Sequence, residues 1–168
     1  MGGAEYELSR QVVRLAGTLG MTVGAAESCT GGMVCAAITD VPGSSSVLRG
    51  GIVSYDPAVK RSVLGVSDEI CNRLELGVVS EVCARQMASE VRSVVACDVA
   101  VSTTGIAGPG GAEAGKPVGT VWFGVATAKG AHAVRRLLPG DRAQVRRAAV
   151  RVALELLVRE IQSLGVPD

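Results

Sequence analysis

Ser28, Tyr55 and Lys60 are the side chains of this sequence best suited to chemistry at a carbonyl. A hydroxyl beside an amine base is a way to make a nucleophile without histidine. Ser28 would attack, and either Lys60 or Tyr55 would take its proton. Lysine ordinarily titrates near ~10.4, so a base working near neutrality must be lowered by roughly 3–4 kcal/mol. Burial or a neighbouring cation would do this. Arg142 and Arg146 lie one turn apart and could supply that cation, or grip a phosphate. Cys29 is a rival nucleophile, although no histidine lies beside it in the sequence.

Ser28 belongs to the stretch Ala25-Ala26-Glu27-Ser28-Cys29-Thr30-Gly31-Gly32. An apolar run precedes it over residues 21–27 and reads as a strand. A helix is predicted over about 29–39, so Ser28 stands where the strand ends and the helix begins. The free N–H groups of a helix start suit a phosphate or a developing oxyanion. Thr30, Gly31 and Gly32 would let a ligand approach the backbone. The simpler reading has equal standing: Ser and Thr as N-cap residues, and the glycine pair as a turn.

The remaining elements must bring the other residues to this point. Apolar spacing predicts a first helix over 4–19. A second strand is predicted over 48–55, with Gly50-Gly51 marking a bulge. Asp56-Pro57 opens a short helix carrying Lys60 one turn in. Another short helix is expected over 67–76 and a longer one from Ser80-Glu81 to about 95. A third strand over 98–103 reads as buried on both faces. The glycine-rich loop Thr104-Gly105-Ile106-Ala107-Gly108-Pro109-Gly110-Gly111 follows. Strands over 118–127 and 131–138 form an antiparallel hairpin through Lys129-Gly130. Asp141 caps a last helix over 142–164.

This order predicts a three-layer α/β/α sandwich on a mixed, mostly parallel five-stranded sheet with a C-terminal antiparallel hairpin. Ligands of open α/β sheets bind beyond the carboxyl ends of the strands. The loops after the first three strands would converge there. The crevice would hold Ser28, Thr30, Tyr55, Lys60, Ser102, Thr104 and the N–H groups of the 104–111 loop. The plainer alternatives are a solvated Lys60, a surface-packed Tyr55 and an arginine row that is the wet face of a helix.

Composition narrows the class. The 168 residues fit one domain spanning 1–168. Hydrophobic residues make up 48% but aromatics only 2%, so the core is aliphatic. A net charge of +1 and so few aromatics argue against nucleic-acid binding. Neither a signal peptide nor a membrane-length apolar run is visible, and five cysteines without a C-x-x-C pair fit a reducing, cytoplasmic setting. His132 is the single histidine, so a zinc or iron site and a Ser-His-Asp triad are not expected. The 104–111 loop is neither a P-loop nor a dinucleotide fingerprint.

Taken together, Ala26-Glu27-Ser28-Cys29-Thr30-Gly31-Gly32, Gly43-Ser44-Ser45, Tyr55 with Lys60, Gly77-Val78-Val79-Ser80-Glu81, Gly105-Ile106-Ala107-Gly108-Pro109, Lys116-Pro117-Val118-Gly119-Thr120-Val121 and Gly140-Asp141-Arg142 span nearly the whole chain. In this order they resemble the CinA C-terminal-domain family of nicotinamide-nucleotide amidases. The resemblance implies hydrolysis of the carboxamide of nicotinamide mononucleotide to nicotinate mononucleotide and ammonia, in pyridine-nucleotide salvage. It implies a serine mechanism without a metal or other cofactor, and commonly a dimer. Ser28 would be the nucleophile, with Tyr55 and Lys60 handling protons. Thr104 or Ser102 would hold substrate, and Arg142 would bind its phosphate or tune the site. Thr30, Gly31, Gly32, Gly105, Ile106, Ala107, Gly108 and Arg146 complete the expected substrate contacts. The alternative is a non-catalytic nucleotide- or phosphate-binding module using the same crevice.

Overall fold

The computed structural model describes residues 3–72 and 76–165. Five strands form one sheet: β1 (Val23–Glu27), β2 (Leu48–Val53), β3 (Val99–Gly105), β4 (Thr120–Thr127) and β5 (Gly130–Leu137). Their order is β2-β1-β3-β4-β5. β2 and β3 both run parallel to β1, while β4 pairs antiparallel with β3 and with β5. The sheet is mixed as expected, parallel on the side that carries Ser28 and antiparallel at the hairpin.

Helices cover both faces. On one lie α1 (Ala4–Leu19), α2 (Met33–Thr39) and α6 (Arg142–Leu164). Their apolar stripes close over Val23, Ala25, Val99, Val101, Val121 and Phe123. On the other lie α3 (Pro57–Leu64), α4 (Asp68–Asn72) and α5 (Glu81–Val94), whose Leu64, Ile70, Met87 and Val91 pack on Ala26 and Ala100. Alternate residues of β1 and β3 therefore feed two separate cores, as the period of a strand requires. The expected helix over 67–76 is α4; residues 73–75 lie outside the described residues.

Two departures from the expected boundaries matter. The second helix starts at Met33 instead of about 29. Gly31 and Gly32 have φ of +62° and +96°, values that a right-handed helix cannot take. Residues 28–32 form a turn instead. β2 stops at Val53, which frees Ser54 and Tyr55 to cross the strand ends before α3 begins. Val23 pairs with Leu48 but Gly24 with Gly50, so Arg49 is an extra residue and the expected bulge is present. A Cβ on Gly51 would meet Cys35 Sγ at 2.2 Å, which shows how closely α2 crosses this edge.

Candidate active site

β1 and β2 are parallel neighbours, so both chains leave the sheet at the same end. Ser28 is the first residue after β1, and Ser54 N–H still bonds to Glu27 O at 2.8 Å. Asp56 then caps α3, its side chain accepting Ala58 N–H at 2.6 Å, with Pro57 at the first helical position. Lys60 lies one turn in. Helical side chains lean towards the helix N-terminus, which here means back over the strand ends. Lys60 is 1% exposed, and its Nζ donates to Ser28 Oγ at 2.9 Å. It also donates to the carbonyls of Ser54 and, at 3.4 Å, Tyr55.

No carboxylate forms a salt bridge with Lys60 among the described residues. Burial holds its pKa below the ordinary lysine value, opposed by weaker attractions from nearby cysteines and Asp56. The neighbouring cation expected from Arg142 or Arg146 is not the cause; both arginines are engaged elsewhere. The hydrogen-bond inventory adds direction. Carbonyl oxygens only accept, so two N–H groups are committed to Ser54 and Tyr55. The third tetrahedral position of Nζ faces Ser28. As an ammonium it donates there; as a neutral amine it turns a lone pair to the serine hydroxyl.

The turn after β1 is built by its own acid. Glu27 is 1% exposed, and its Oε2 accepts the N–H groups of Gly32 at 2.9 Å and Val34 at 3.1 Å. Its Oε1 accepts that of Cys35 at 2.9 Å. The helix-start donors expected to face a ligand are therefore occupied by the protein itself. Thr30 is fully buried, its Oγ1 bonded to Thr103 Oγ1 at 2.7 Å. Ser28 N–H bonds to Thr103 O at 2.9 Å and Gly31 N–H to Ser28 O at 3.1 Å. The N–H groups of Cys29 and Thr30 have no hydrogen-bond partner among the described residues.

Ser28 and Lys60 open into a cavity of about 230 Å³. Cys29, Tyr55, Pro57, Val78, Val79, Thr104, Gly105, Ala107 and Arg142 complete its wall. The structure thus gathers seven of the anticipated residues: Ser28, Tyr55, Lys60, Thr104, Gly105, Ala107 and Arg142. A larger cleft of about 450 Å³ beside Val82, Arg85 and Ser89 lacks this pairing of hydroxyl and buried amine, so size does not choose the site.

The other anticipated residues stand apart from the cavity. Ser102 is fully buried on the α5 side, where its Oγ donates to Ala84 O at 2.6 Å and accepts Gly124 N–H at 3.1 Å. Between the two candidates, only Thr104 reaches the cavity, and its hydroxyl donates to Val78 O at 2.6 Å. Gly31 and Gly32 shape the turn, and Ile106 is buried. Gly108 O accepts Arg142 Nη1 at 2.8 Å, and Arg142 Nη2 donates to Tyr55 Oη at 2.9 Å. That pair straps the second loop to the third. Tyr55 is 59% exposed and bonds to Arg142, with no hydrogen bond from its hydroxyl to Ser28. Arg146 turns to the carbonyls of Cys29 and Thr30, each at 3.0 Å.

Burial raises the Cys29 thiol to about 11, which makes it a poor rival to Ser28. Sequence reasoning missed Glu27, Pro57, Val78 and Val79. An acid placed just before a turn and a helix is a readable signal for Glu27. The valines belong to the Gly77-Val78-Val79-Ser80-Glu81 stretch, but their apolar character alone assigns them no role at a site. Among the described residues there is no cluster of three His, Cys, Asp or Glu able to hold a metal, and no helix long and apolar enough to cross a membrane.

Comparison with known proteins shows the family. The family model of the CinA C-terminal domain matches residues 5–161. The nicotinamide-nucleotide amidohydrolase PncC of Escherichia coli K12 is 45% identical over 152 residues, covering 90% of this chain and 91% of that protein. A CinA-like protein of Mycolicibacterium gilvum is 45% identical over 147 residues, 87% of this chain but 34% of its own length. The chain spans about a third of the length of the first curated relatives it matches, 33%, 37% and 34%. The crystal structure of the competence/damage inducible protein CihA from Agrobacterium tumefaciens superposes with a TM-score of 0.89 at 39% identity, covering 95% of this chain and 96% of that one. The chain belongs to the CinA C-terminal domain family.

Proposed function

We propose that this chain is a nicotinamide-nucleotide amidohydrolase, converting nicotinamide mononucleotide and water to nicotinate mononucleotide and ammonia in pyridine-nucleotide salvage. The observation that carries this reading is the 2.9 Å contact between buried Lys60 Nζ and Ser28 Oγ at the floor of a cavity. The 45% identity to PncC over 90% of the chain supports the substrate class.

Neutral Lys60 takes the Ser28 proton as Oγ adds to the carboxamide carbon. The tetrahedral intermediate collapses by breaking the C–N bond, and the proton on Lys60 passes to the departing nitrogen, which leaves as ammonia. Water then adds to the acyl-serine ester, giving its proton to Lys60, and Ser28 leaves with that proton restored. No cofactor enters these steps. Arg142, at the cavity rim, carries the charge to meet the substrate phosphate, with Tyr55 holding the guanidinium in place. Thr104, Gly105 and Ala107 form the wall against the pyridine ring. The chain works as one domain, as a cytoplasmic homodimer with no nucleic-acid or membrane partner.

The test is ammonia release from nicotinamide mononucleotide across pH 6–9, with and without chelator. Turnover unaffected by chelator and abolished in Ser28→Ala is the expected result. Tight binding of the nucleotide without any turnover by the wild type would overturn the reading in favour of a binding module.

A further inference from the structure

Hydrolysis through Ser28 requires donors for the oxygen that becomes negative as the serine adds, and the helix-start amides are closed off by Glu27. Two of the unpartnered N–H groups on the cavity wall adjoin Ser28. One is that of Cys29, which has no partner among the described residues and lines the cavity beside Ser28. The other is that of Gly105. Successive N–H groups of a strand point to opposite edges. Ile106 gives its N–H to Thr120 O on β4 at 2.9 Å, so Gly105 N–H points the other way, to β1. There β1 has ended, and the oxygen that would continue the ladder, Ser28 O, takes Gly31 N–H instead. A Cβ on Gly105 would lie 2.8 Å from Thr120 O, so this backbone is held closely against β4.

The Cys29 amide keeps its direction only if the turn keeps its peptide planes. Arg146, half-buried on α6, provides that constraint. Its Nε donates to Cys29 O and its Nη2 to Thr30 O, a rigid fork across two consecutive peptides. In a trans peptide the C=O and the following N–H point in opposite directions. Holding Thr30 O therefore directs Gly31 N–H to Ser28 O, and that bond in turn fixes the plane carrying Cys29 N–H. Arg146 is absent from the cavity wall, so its charge acts on the backbone and not on a ligand.

We propose that Arg146 is a positioning residue that sets the 28–31 turn so that Cys29 N–H, with Gly105 N–H, receives the oxyanion formed at Ser28. The inference rests on the hydrolase reading above. Its test uses Arg146→Lys and Arg146→Gln in the full chain, with the thermal midpoint recorded for each; the conservative variant keeps the test alive if Arg146→Gln does not fold. Two probes accompany substrate. Product nicotinate mononucleotide reports ground-state binding. The pyridine-3-carbaldehyde mononucleotide reports the tetrahedral state: its carbon takes the serine oxygen, and its carbonyl oxygen becomes the hemiacetal oxygen and gains the serine proton.

The expected result is a fall in kcat of up to about 100- to 1000-fold, the range for a lost oxyanion donor. KM and product affinity stay within about threefold, and aldehyde affinity falls in step with kcat. Partial restoration of kcat in Arg146→Gln by added guanidinium ion would support the role directly. Unchanged kcat, a parallel loss of product affinity, or full retention of aldehyde affinity would each overturn it. An active wild type with an unaffected Arg146→Lys refutes this inference alone, whereas an inactive wild type refutes the hydrolase reading beneath it.

Discussion

Replacing Glu27 by glutamine changes one atom type and tests how the nucleophile's turn is held. The carboxylate has two oxygens, one serving Gly32 and Val34 and the other serving Cys35, at 2.9, 3.1 and 2.9 Å. Glutamine has one acceptor oxygen. Its better placement puts that oxygen on the Gly32/Val34 pair and sets its NH₂ against Cys35 N–H. A buried donor left without a partner costs about 1–3 kcal/mol, and two charge-assisted bonds become neutral ones, together about 1–2 kcal/mol. Removing a buried charge returns part of its desolvation cost. The net loss is therefore set near about 3 kcal/mol. For a chain of this size that lowers Tm by roughly 6–12 °C. Calorimetric melts of wild type and Glu27→Gln at neutral pH measure it, and Glu27→Ala, which strands all three donors, must fall further. A Glu27→Gln midpoint within a degree or two of wild type would refute the claim that this carboxylate anchors the turn.

Lys60→Met should lower kcat by about 10²–10⁴, the usual contribution of a general base. The wild-type rate should rise with pH through a pKa below the ordinary lysine value, and that limb should vanish in Lys60→Met. The same group predicts a stability slope. Burial lowers the folded-state pKa, so between that value and about 10.4 the unfolded chain binds more protons and stability rises with pH. The penalty is full below the folded pKa; urea midpoints against pH should show the slope in wild type and not in Lys60→Met. Asp98 gives a slope of the same sign at acid pH, there from a carboxylate that stabilises the fold when ionised. Its carboxylate accepts Thr22 N–H at 2.7 Å and Thr22 Oγ1–H at 2.8 Å, which hold its pKa below the usual carboxylate value. Its contribution is present above about pH 4 and lost as pH falls through the folded value, so Asp98→Asn should narrow the acid-induced drop in Tm.

The layers and the meeting of Ser28 with Lys60 were legible because periodicity and turn chemistry are local and neighbouring parallel strands end together. Asp56-Pro57 announces α3, and one turn of helix fixes where Lys60 falls. The start of α2 was not legible. A helix beginning at 29 satisfies pattern and capping preference alike, and only the reach of Glu27 to residues 32–35 decides against it. Ser102 and Thr104 have the same parity along β3, and sequence could not separate them. The difference is tertiary: α5 lies against Gly124, where a Cβ would sit 2.1 Å from Ala84 O, and so covers Ser102. Arg146 likewise looks like any arginine of a wet helix face until its two carbonyl partners, 116 and 117 residues away, are seen.

The adjacency of Glu27 and Ser28 has its own logic. Successive residues at a strand end face opposite sides of the sheet. Glu27 follows Ala25 to the α2 side, where it meets backbone donors. Ser28 follows Ala26 to the α3 side, where it meets Lys60. The acid thus stiffens the nucleophile's turn from one face while the base approaches from the other. Were Glu27 on the same face as Lys60, the two would pair, and an opposite charge within a few ångströms would favour the ammonium and raise the pKa that burial lowers. A fixed turn and an amine free to lose its proton are compatible here because one peptide step separates them. A one-residue register slip of β1 would bring the carboxylate to the amine and carry the hydroxyl away from it.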